Sequence, residues 1–359
     1  MTLADDLAAA KLQLTKDQAA LDQADARANA AEFELTAANA AAEQLRQAVA
    51  SDLAEVARIQ KEIDAQVPPS TGTLGGMWCQ SGGAWQEFQR LQGLLGVKVL
   101  GFRSTGGEGQ LDNPFMLPDS HAALAAGHVV SLQLQPKTGS GSNRTGVPYR
   151  DITAGKHDAT LLAGFAEYKA LPPNAKVPLE VHSEFTVQSS GAQPPVGPAG
   201  DYAPFVMHVD KLLRQAGVRD RVTTICGAVG KVWDGNSWKA WITPELMASG
   251  ACDVLGTDFY AKVSNKLAQP DAMTKGVRTV ARSFGVRWAV METGCVELPG
   301  NPGAKAAWYG AWEPLLKAEG KDCYAVFFNA SLFPYRIDST PASFAAFKHL
   351  MSAPLWRKS

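Results

Sequence analysis

The sequence predicts an α/β protein in which a (β/α)8 TIM barrel follows a long N-terminal coiled-coil helix. Composition changes sharply along the chain: residues 1–66 contain no Gly, Pro or Trp, so all 33 glycines and 21 prolines follow them. The first part repeats every seven residues, and the second alternates short β-branched runs with amphipathic helical runs. We therefore expect a coiled coil over 1–66, a linker over 67–76 and a barrel over 77–359.

The seven-residue repeat places apolar residues at two positions of most heptads, with Asp17 and Asp52 as the exceptions. One position holds Leu7, Leu14, Leu21, Ala28, Leu35, Ala42, Val49, Val56 and Ile63, and the other holds Leu3, Ala10, Asp17, Ala24, Ala31, Ala38, Leu45, Asp52 and Ile59. This is the a and d spacing of a coiled coil. A single helix about 95 Å long, at 1.5 Å per residue, has no core of its own, which predicts self-association, as a homotrimer. A solvated single helix and an α-hairpin folded on itself are the alternatives.

Eight candidate strands alternate with helical runs in the second part. They are 73–78, 97–102, 128–135, 177–182, 222–229, 254–260, 287–294 and 323–329. Eight such units over about 285 residues match the count and length of a (β/α)8 barrel. An open doubly wound sheet is the alternative, but the glycine-rich run 75–83 lacks the G-x-G-x-x-G pattern that usually follows its first strand.

Composition argues against several classes of protein. The net charge of −1 does not favour a nucleic-acid partner, and no apolar run of 18 residues predicts a membrane span. The N-terminus lacks the basic and apolar regions of a secretory signal. The five cysteines, Cys79, Cys226, Cys252, Cys295 and Cys323, form no C-x-x-C pair, so we expect buried free thiols and no metal or cofactor.

Candidate site residues follow from the barrel prediction, because barrel enzymes place their chemistry at the C-terminal ends of the strands. Those ends, with the loops that follow them, carry Trp78, Arg103, His182, Glu184, Trp233, Asp258, Tyr260, Glu292 and Asn329. Glu184 follows the fourth strand and Glu292 lies on the seventh, across the predicted barrel end. Cleavage of a glycosidic bond needs two facing carboxylates. A separation of about 5–5.5 Å between them predicts retention of configuration, and a wider separation predicts inversion.

The remaining candidates have supporting roles in this interpretation. Asp258 and Tyr260 lie close to the end of the sixth strand, where a tyrosine hydroxyl can hold a neighbouring carboxylate in its ionised form. Trp78 and the tryptophan-rich loop 232–246, which contains Trp233, offer ring faces on which a sugar can stack. The alternative for that loop is that its indoles pack it against the barrel.

Four stretches resemble the pattern of glycoside hydrolase family 26 and its wider clan A. In "DITAGKHDATLLAGFAEYKAL" and "VPLEVHSEFT" a Gly-x-x-Asp helix start precedes a strand that leads to a glutamate; "DVLGTDFYA" and "WAVMETG" resemble strands six and seven. The resemblance implies a retaining endo-β-glycanase with Glu184 as acid/base and Glu292 as nucleophile. Two positions depart from the pattern. Ser183 stands where family 26 has His and other families have Asn, and strand eight ends in Phe-Phe-Asn where a Trp is common.

The order of the two parts resembles bacteriophage tail proteins, in which an oligomeric rod carries a glycan-active or glycan-binding head. From this organisation we expect a minor tail or tail-fibre protein of the virion, with other tail proteins and a bacterial surface polysaccharide as partners. If the chain is not a virion protein, we expect it in the cytoplasm. Two alternatives stay open: a non-catalytic glycan-binding module that recognises a receptor, and a purely structural tail component.

Overall fold

The computed structural model describes residues 74–80, 84–99, 101–103, 111, 116, 118–139, 145–171, 176–183, 185, 196–261, 267–319, 324–330 and 335–356. The predicted coiled coil and residues 67–73 of the predicted linker lie outside these ranges. Residues 74–76 form the start of the first strand, so the barrel begins inside the predicted linker.

The strands form one parallel sheet and one small hairpin. The sheet contains β1 (Leu74–Gln80), β2 (Gly101–Arg103), β3 (Val129–Val130), β4 (Leu132–Leu134), β7 (Val177–Val181), β8 (Val222–Val229), β9 (Val254–Ala261), β10 (Arg287–Cys295) and β11 (Tyr324–Ala330). The hairpin pairs β5 (Lys137–Thr138) with β6 (Thr145–Gly146) antiparallel. In the sheet the order is β3-β2-β1-β11-β10-β9-β8-β7-β4.

The parallel sheet wraps round on itself. Its two outer segments, β3 and β4, are consecutive in the chain and are separated only by Ser131. β3 pairs with β2 and β4 pairs with β7, while the Ser131 amide donates to the Phe102 carbonyl at 2.8 Å. β3 and β4 therefore occupy one barrel position, which makes eight positions in all. The predicted parallel α/β barrel is confirmed, and the open doubly wound alternative is wrong.

The helices follow the strands as the sequence pattern predicts. They are α1 (Ala84–Leu95), α2 (Pro118–Ala125), α3 (Tyr149–Thr153), α4 (Asp158–Glu167), α5 (Tyr202–Gln215), α6 (Pro244–Ala248), α7 (Pro270–Ser283), α8 (Ala304–Gly310), α9 (Trp312–Glu319) and α10 (Pro341–Ser352). The longer ones bury one face: α5 buries Phe205, Val209 and Leu212, which are spaced one helical turn apart. α6 and α10 begin with proline after a capping threonine that accepts a backbone hydrogen bond.

Four glycines make room inside the barrel. Gly76 pairs with Gly101, and Gly227 pairs with Gly256. A Cβ added at Gly101 would lie 2.8 Å from the Gly76 Cα, so β1 and β2 approach closely only because both residues lack side chains. A Cβ at Gly227 would lie 2.1 Å from Glu180 Oε1, so Gly227 provides the space in which that carboxylate lies.

The cysteines in the described ranges are buried free thiols, as predicted: Cys79, Cys226, Cys252 and Cys295. Cys323 lies outside those ranges. Of the helices that the structure describes, none combines the length and hydrophobicity required to cross a bilayer.

Two helix glycines predict opposite effects of the same substitution. Gly93 in α1 has nothing within 4 Å of an added Cβ, whereas a Cβ at Gly276 in α7 would lie 2.9 Å from the Trp233 backbone. Gly93→Ala should stabilise the fold by about 1 kcal/mol through helix propensity. Gly276→Ala should destabilise it by about 1–3 kcal/mol through overpacking. Thermal unfolding of both variants checks the pair; stabilisation by Gly276→Ala would contradict the packing of Trp233 beneath α7.

Candidate active site

A β-bulge in β10 directs Glu292 into the end of the barrel. Ala289 and Met291 lie in the small interior cluster, whereas Val290 and Cys295 belong to the larger core that includes the helices. In a regular strand residues 290 and 295 would point to opposite faces. The register against both neighbouring strands shifts after Val290. The extra residue therefore turns Glu292 toward the interior, which is how bulges re-aim side chains next to active sites.

Glu292 lies beside a second carboxylate at the C-terminal end of the barrel, which we call the mouth. It is opposite Asp258 in the register of β10 and β9, and both residues are buried. Asp258 Oδ2 accepts a hydrogen bond from Ser183 Oγ at 3.3 Å. The structure thus brings together the ends of β7, β9 and β10, which are the fourth, sixth and seventh predicted strands. Glu184, the predicted acid/base, lies outside the described residues.

Arg103 interacts electrostatically with both carboxylates and is 1% exposed. Its Nη2 donates to Glu180 Oε2 at 2.8 Å and its Nη1 donates to the Met291 carbonyl at 2.9 Å. Burial works against the charged form, but the carboxylates of Glu180, Asp258 and Glu292 outweigh it and raise the pKa of Arg103. The sequence predicts that Arg103 contacts a substrate. In the structure its two Nη atoms donate to Glu180 and to the Met291 carbonyl.

His182 turns the chain at the end of β7. Its φ of 59° is the only positive value for a non-glycine residue in the part of the chain that the structure describes. Such a left-handed backbone costs free energy and persists where its surroundings hold it. Here the His182 amide donates to the Leu134 carbonyl at 2.7 Å, and its Nδ1 is hydrogen-bonded to the Tyr149 hydroxyl. His182 is buried, so we assign it to positioning the segment that contains Ser183.

Four aromatic rings form a continuous group at the mouth. Trp78 and Phe328 have ring centroids 4.7 Å apart, Phe328 and Tyr260 are 5.5 Å apart, and Tyr260 and Tyr335 are 4.6 Å apart. All but Phe328 are partly exposed. Tyr335 Cδ1 would lie 3.4 Å from a Cβ added at Gly294, two residues after Glu292, and burial raises the pKa of Tyr335, with contributions from Cys295 and Glu292. We call Trp78, Phe328, Tyr260 and Tyr335 the aromatic group.

Several buried polar atoms near the strand ends have no hydrogen-bond partner among the described residues. Two of them are the indole Nε1 of Trp78 and the amide oxygen Oε1 of Gln135, which follows β4. Buried polar atoms are normally paired, so such exceptions need an explanation. One donor and one acceptor at the mouth are suited to a ligand that carries hydroxyl groups. Within the described ranges, no cluster of three His, Cys, Asp or Glu residues could hold a metal ion.

Trp233 and Asn329 are packed within the protein. Trp233 is 2% exposed and lies against Gly276 of α7. Of the two alternatives for its loop, the structure supports packing for this indole. Asn329 Nδ2 donates to Glu87 Oε1 at 3.1 Å, and its Oδ1 accepts from the Ile337 amide at 2.9 Å. Asn329 therefore joins α1 to the segment after β11, which differs from the predicted contact with substrate.

Sequence reasoning missed four residues of this region: Glu180, Tyr149, Phe328 and Tyr335. Glu180 and Phe328 lie on strands that were predicted, and alternation along each strand could have placed both on the inward face. Tyr149 and Tyr335 come from connecting segments, and no spacing in the sequence relates them to the strand ends.

Comparison with known proteins gives similarity at the level of structure. No protein-family model and no curated protein sequence matches the chain. A family 26 β-mannanase from Bacteroides ovatus superposes with a TM-score of 0.52 at 15% identity, covering 80% of this chain and 90% of that one. An endo-β-1,4-mannanase from Cellulomonas fimi has a TM-score of 0.54 at 15% identity, with 80% and 72% coverage. Fungal β-1,4-galactanases have a TM-score of 0.58 at 12% identity, with 79% and 100% coverage.

These similarities establish the fold, whereas the chemistry depends on the residues of the site. The (β/α)8 barrel hosts many unrelated reactions, so similarity of fold alone does not assign one. The chain therefore shares the barrel architecture of the family 26 mannanases and the galactanases.

Proposed function

We propose that the barrel is a glycoside hydrolase that cleaves a bacterial surface polysaccharide with retention of configuration. The observation that carries the proposal is the bulge that turns Glu292 into the mouth, beside Asp258 and next to partly exposed aromatic rings. Glu292 is the nucleophile in this proposal, and Glu184 is the acid/base. The barrel similarity to mannanases and galactanases supports a β-linked polysaccharide as the substrate class.

The proposed reaction has two steps. Glu292 attacks the anomeric carbon while protonated Glu184 donates its proton to the departing glycosidic oxygen, and a covalent glycosyl–enzyme ester forms. Glu184, now ionised, then removes a proton from water, which attacks the anomeric carbon and releases Glu292. The two carboxyl groups need different pKa values. The nearby Arg103 guanidinium favours the ionised form of Glu292.

The test is release of reducing ends from a panel of polysaccharides by the full chain. The panel contains β-1,4-mannan, β-1,4-galactan and capsular and cell-wall glycans purified from bacteria. We expect cleavage of at least one, and loss of that cleavage in Glu292→Gln with an unchanged circular dichroism spectrum. Failure to cleave any member, or equal cleavage by the variant, would count against the proposal.

A second candidate is a barrel that binds a glycan without cleaving it. Ser183 at the position before Glu184 favours this candidate, because its hydroxyl is directed to Asp258. In this case Glu184→Gln and Glu292→Gln would leave glycan affinity unchanged, and the wild-type chain would release no product.

Both candidates predict that the aromatic group binds sugar. Trp78→Ala and Tyr335→Ala, each made in the Glu292→Gln chain, should weaken binding about 10-fold, the loss expected for one ring contact of about 1–1.5 kcal/mol. Calorimetric titration with the glycan identified above measures the effect. Trp238→Ala, on the loop between β8 and α6, is the matched control and should leave affinity unchanged, because this indole packs edge-on against Phe284 with ring centroids 5.7 Å apart. Unchanged affinity in both mouth variants would remove the aromatic group from the binding site.

The carrier is a separate proposal. We propose that residues 1–66 form a homotrimeric coiled coil, joined by residues 67–73 to the barrel that begins with β1, in a minor tail or tail-fibre protein of a phage virion. Other tail proteins would be its partners. Light scattering of the full chain should give three times the chain mass of 38.2 kDa, and deletion of residues 1–66 should give a monomer. If a truncated chain still assembled, the coiled coil would not be the assembling element.

A further inference from the structure

Glu180 is a carboxylate inside the barrel, where side chains are usually large and apolar. It is 0% exposed and occupies the space that Gly227 leaves on the neighbouring strand β8. Burying a carboxylate costs free energy unless it is paired and hydrogen-bonded. Packing of the barrel alone therefore does not explain why Glu180 is here, or why Gly227 leaves room for its side chain.

The partner of Glu180 is Arg103, which spans the barrel interior from β2. One arm of its guanidinium contacts Glu180 on β7 at 2.8 Å, and the other donates to the Met291 carbonyl on β10 at 2.9 Å. The planar guanidinium holds both contacts in one rigid geometry. Fixing one arm on Glu180 therefore fixes where the other arm lies.

Met291 is the residue at which the β10 bulge forms. The bulge interrupts the hydrogen bonds of the ladder, so its backbone needs partners from elsewhere. We infer that Glu180 is a positioning residue for Glu292: it holds Arg103 on the Met291 carbonyl and so fixes the bulge from which Glu292 projects. This inference rests on the proposed function, because it gives Glu180 a role in placing the nucleophile.

The charges around Arg103 agree with this arrangement. Glu180, Asp258 and Glu292 all favour its charged form, so one buried cation faces three carboxylates. Burial raises the pKa of Glu180 above its ordinary value, and Arg103 works in the opposite direction. Displacement of Arg103 would leave Glu292 without its nearby positive charge and raise the pKa of Glu292.

The direction in which the pKa of Glu292 changes distinguishes a positioning role of Glu180 from a direct effect of its charge. Loss of the Glu180 charge alone removes a repulsion and lowers the pKa of Glu292. Loss of the position of Arg103 raises it. Glu180→Met removes both the charge and the hydrogen bond, whereas Gly227→Ala displaces Glu180 and leaves every charge in place, since the added Cβ would lie 2.1 Å from Glu180 Oε1.

The experiment is a carbon-13 NMR titration of glutamate carboxyl groups in the wild-type chain, Glu180→Met and Gly227→Ala, with Gly93→Ala as control. The Glu292 resonance is assigned by its absence in Glu292→Gln. We expect its pKa to rise by about one unit in Glu180→Met and Gly227→Ala. We expect kcat on the glycan to fall about 100-fold, the cost of a misplaced catalytic group.

A Glu292 pKa that falls or stays constant in these variants would overturn the inference. If Glu180→Met does not fold, Gly227→Ala decides the result, since it retains the ion-pair partners. The titration needs no glycan, so a wild-type chain that cleaves nothing counts against the proposed function, and the titration still decides the role of Glu180.

Discussion

Replacing Glu292 by alanine will abolish cleavage of the glycan, and sodium azide will restore turnover of an activated aryl β-glycoside. Removal of a nucleophile that forms a covalent intermediate lowers kcat by at least about 10³-fold. Azide fits the space that the carboxylate leaves and attacks the anomeric carbon from the same side. Because only one displacement then occurs, the product is the α-glycosyl azide. Product analysis by proton NMR measures both the rate and the configuration.

The control for this prediction is Glu245→Ala, which removes an exposed carboxylate on α6. It should retain wild-type activity and show no response to azide. A Glu292→Ala chain that retains activity, or one in which azide gives the β-azide, would mean that Glu292 is not the nucleophile.

Replacing Arg103 by methionine will destabilise the fold by about 3–5 kcal/mol, because it leaves the buried Glu180 carboxylate without its partner. Arg103 and Glu180 are 1% and 0% exposed, so water cannot take the place of the lost contact. The double variant Arg103→Met with Glu180→Met should recover part of that loss, because it removes the unpaired Glu180 carboxylate, while Asp258 and Glu292 still lack the positive charge of Arg103. Chemical denaturation of the three variants measures the effect.

The size of the recovery in the free energy of unfolding shows whether Arg103 and Glu180 are energetically coupled. The two single losses should sum to far more than the loss in the double variant, as expected for residues in direct contact. Additive losses in the double variant would contradict the buried ion pair.

The fold could be predicted because its signals are local. Strands such as β8 and β11 are rich in β-branched or aromatic residues, and the helical runs between strands have apolar residues one turn apart, as Phe205, Val209 and Leu212 show in α5. The division of the third barrel position into β3 and β4 at Ser131 was not predicted. It depends on which neighbour each half pairs with, and this is set by closure of the sheet.

The candidate site could be predicted in part for a related reason. In a parallel barrel all strand ends meet at one mouth, so reading those ends finds Glu292, Asp258 and Trp78 without knowing the coordinates. The bulge that turns Glu292 inward interrupts the inward and outward alternation of side chains along β10. It is visible only as a shift in the register between β10 and its neighbouring strand. The sequence does not decide whether Trp233 is exposed or packed, because a tryptophan in a polar loop is compatible with both positions.

The interior pair depends on contacts that are distant in the sequence. Arg103 and Glu180 come from different strands, and nothing in either local segment identifies the other as its partner. Gly227 completes the arrangement from a third strand. Such relationships follow from the register of the closed barrel and appear only when the strands are assembled.

The most direct measurement is the separation between the Glu184 carboxyl group and the side-chain amide of residue 292 in a crystal structure of the Glu292→Gln chain with a bound oligosaccharide. A retaining mechanism predicts about 5–5.5 Å between them, with the glycosidic oxygen within hydrogen-bond distance of Glu184. A Glu184 carboxyl group directed away from the mouth, or one more than about 10 Å from residue 292, would contradict the proposed hydrolysis.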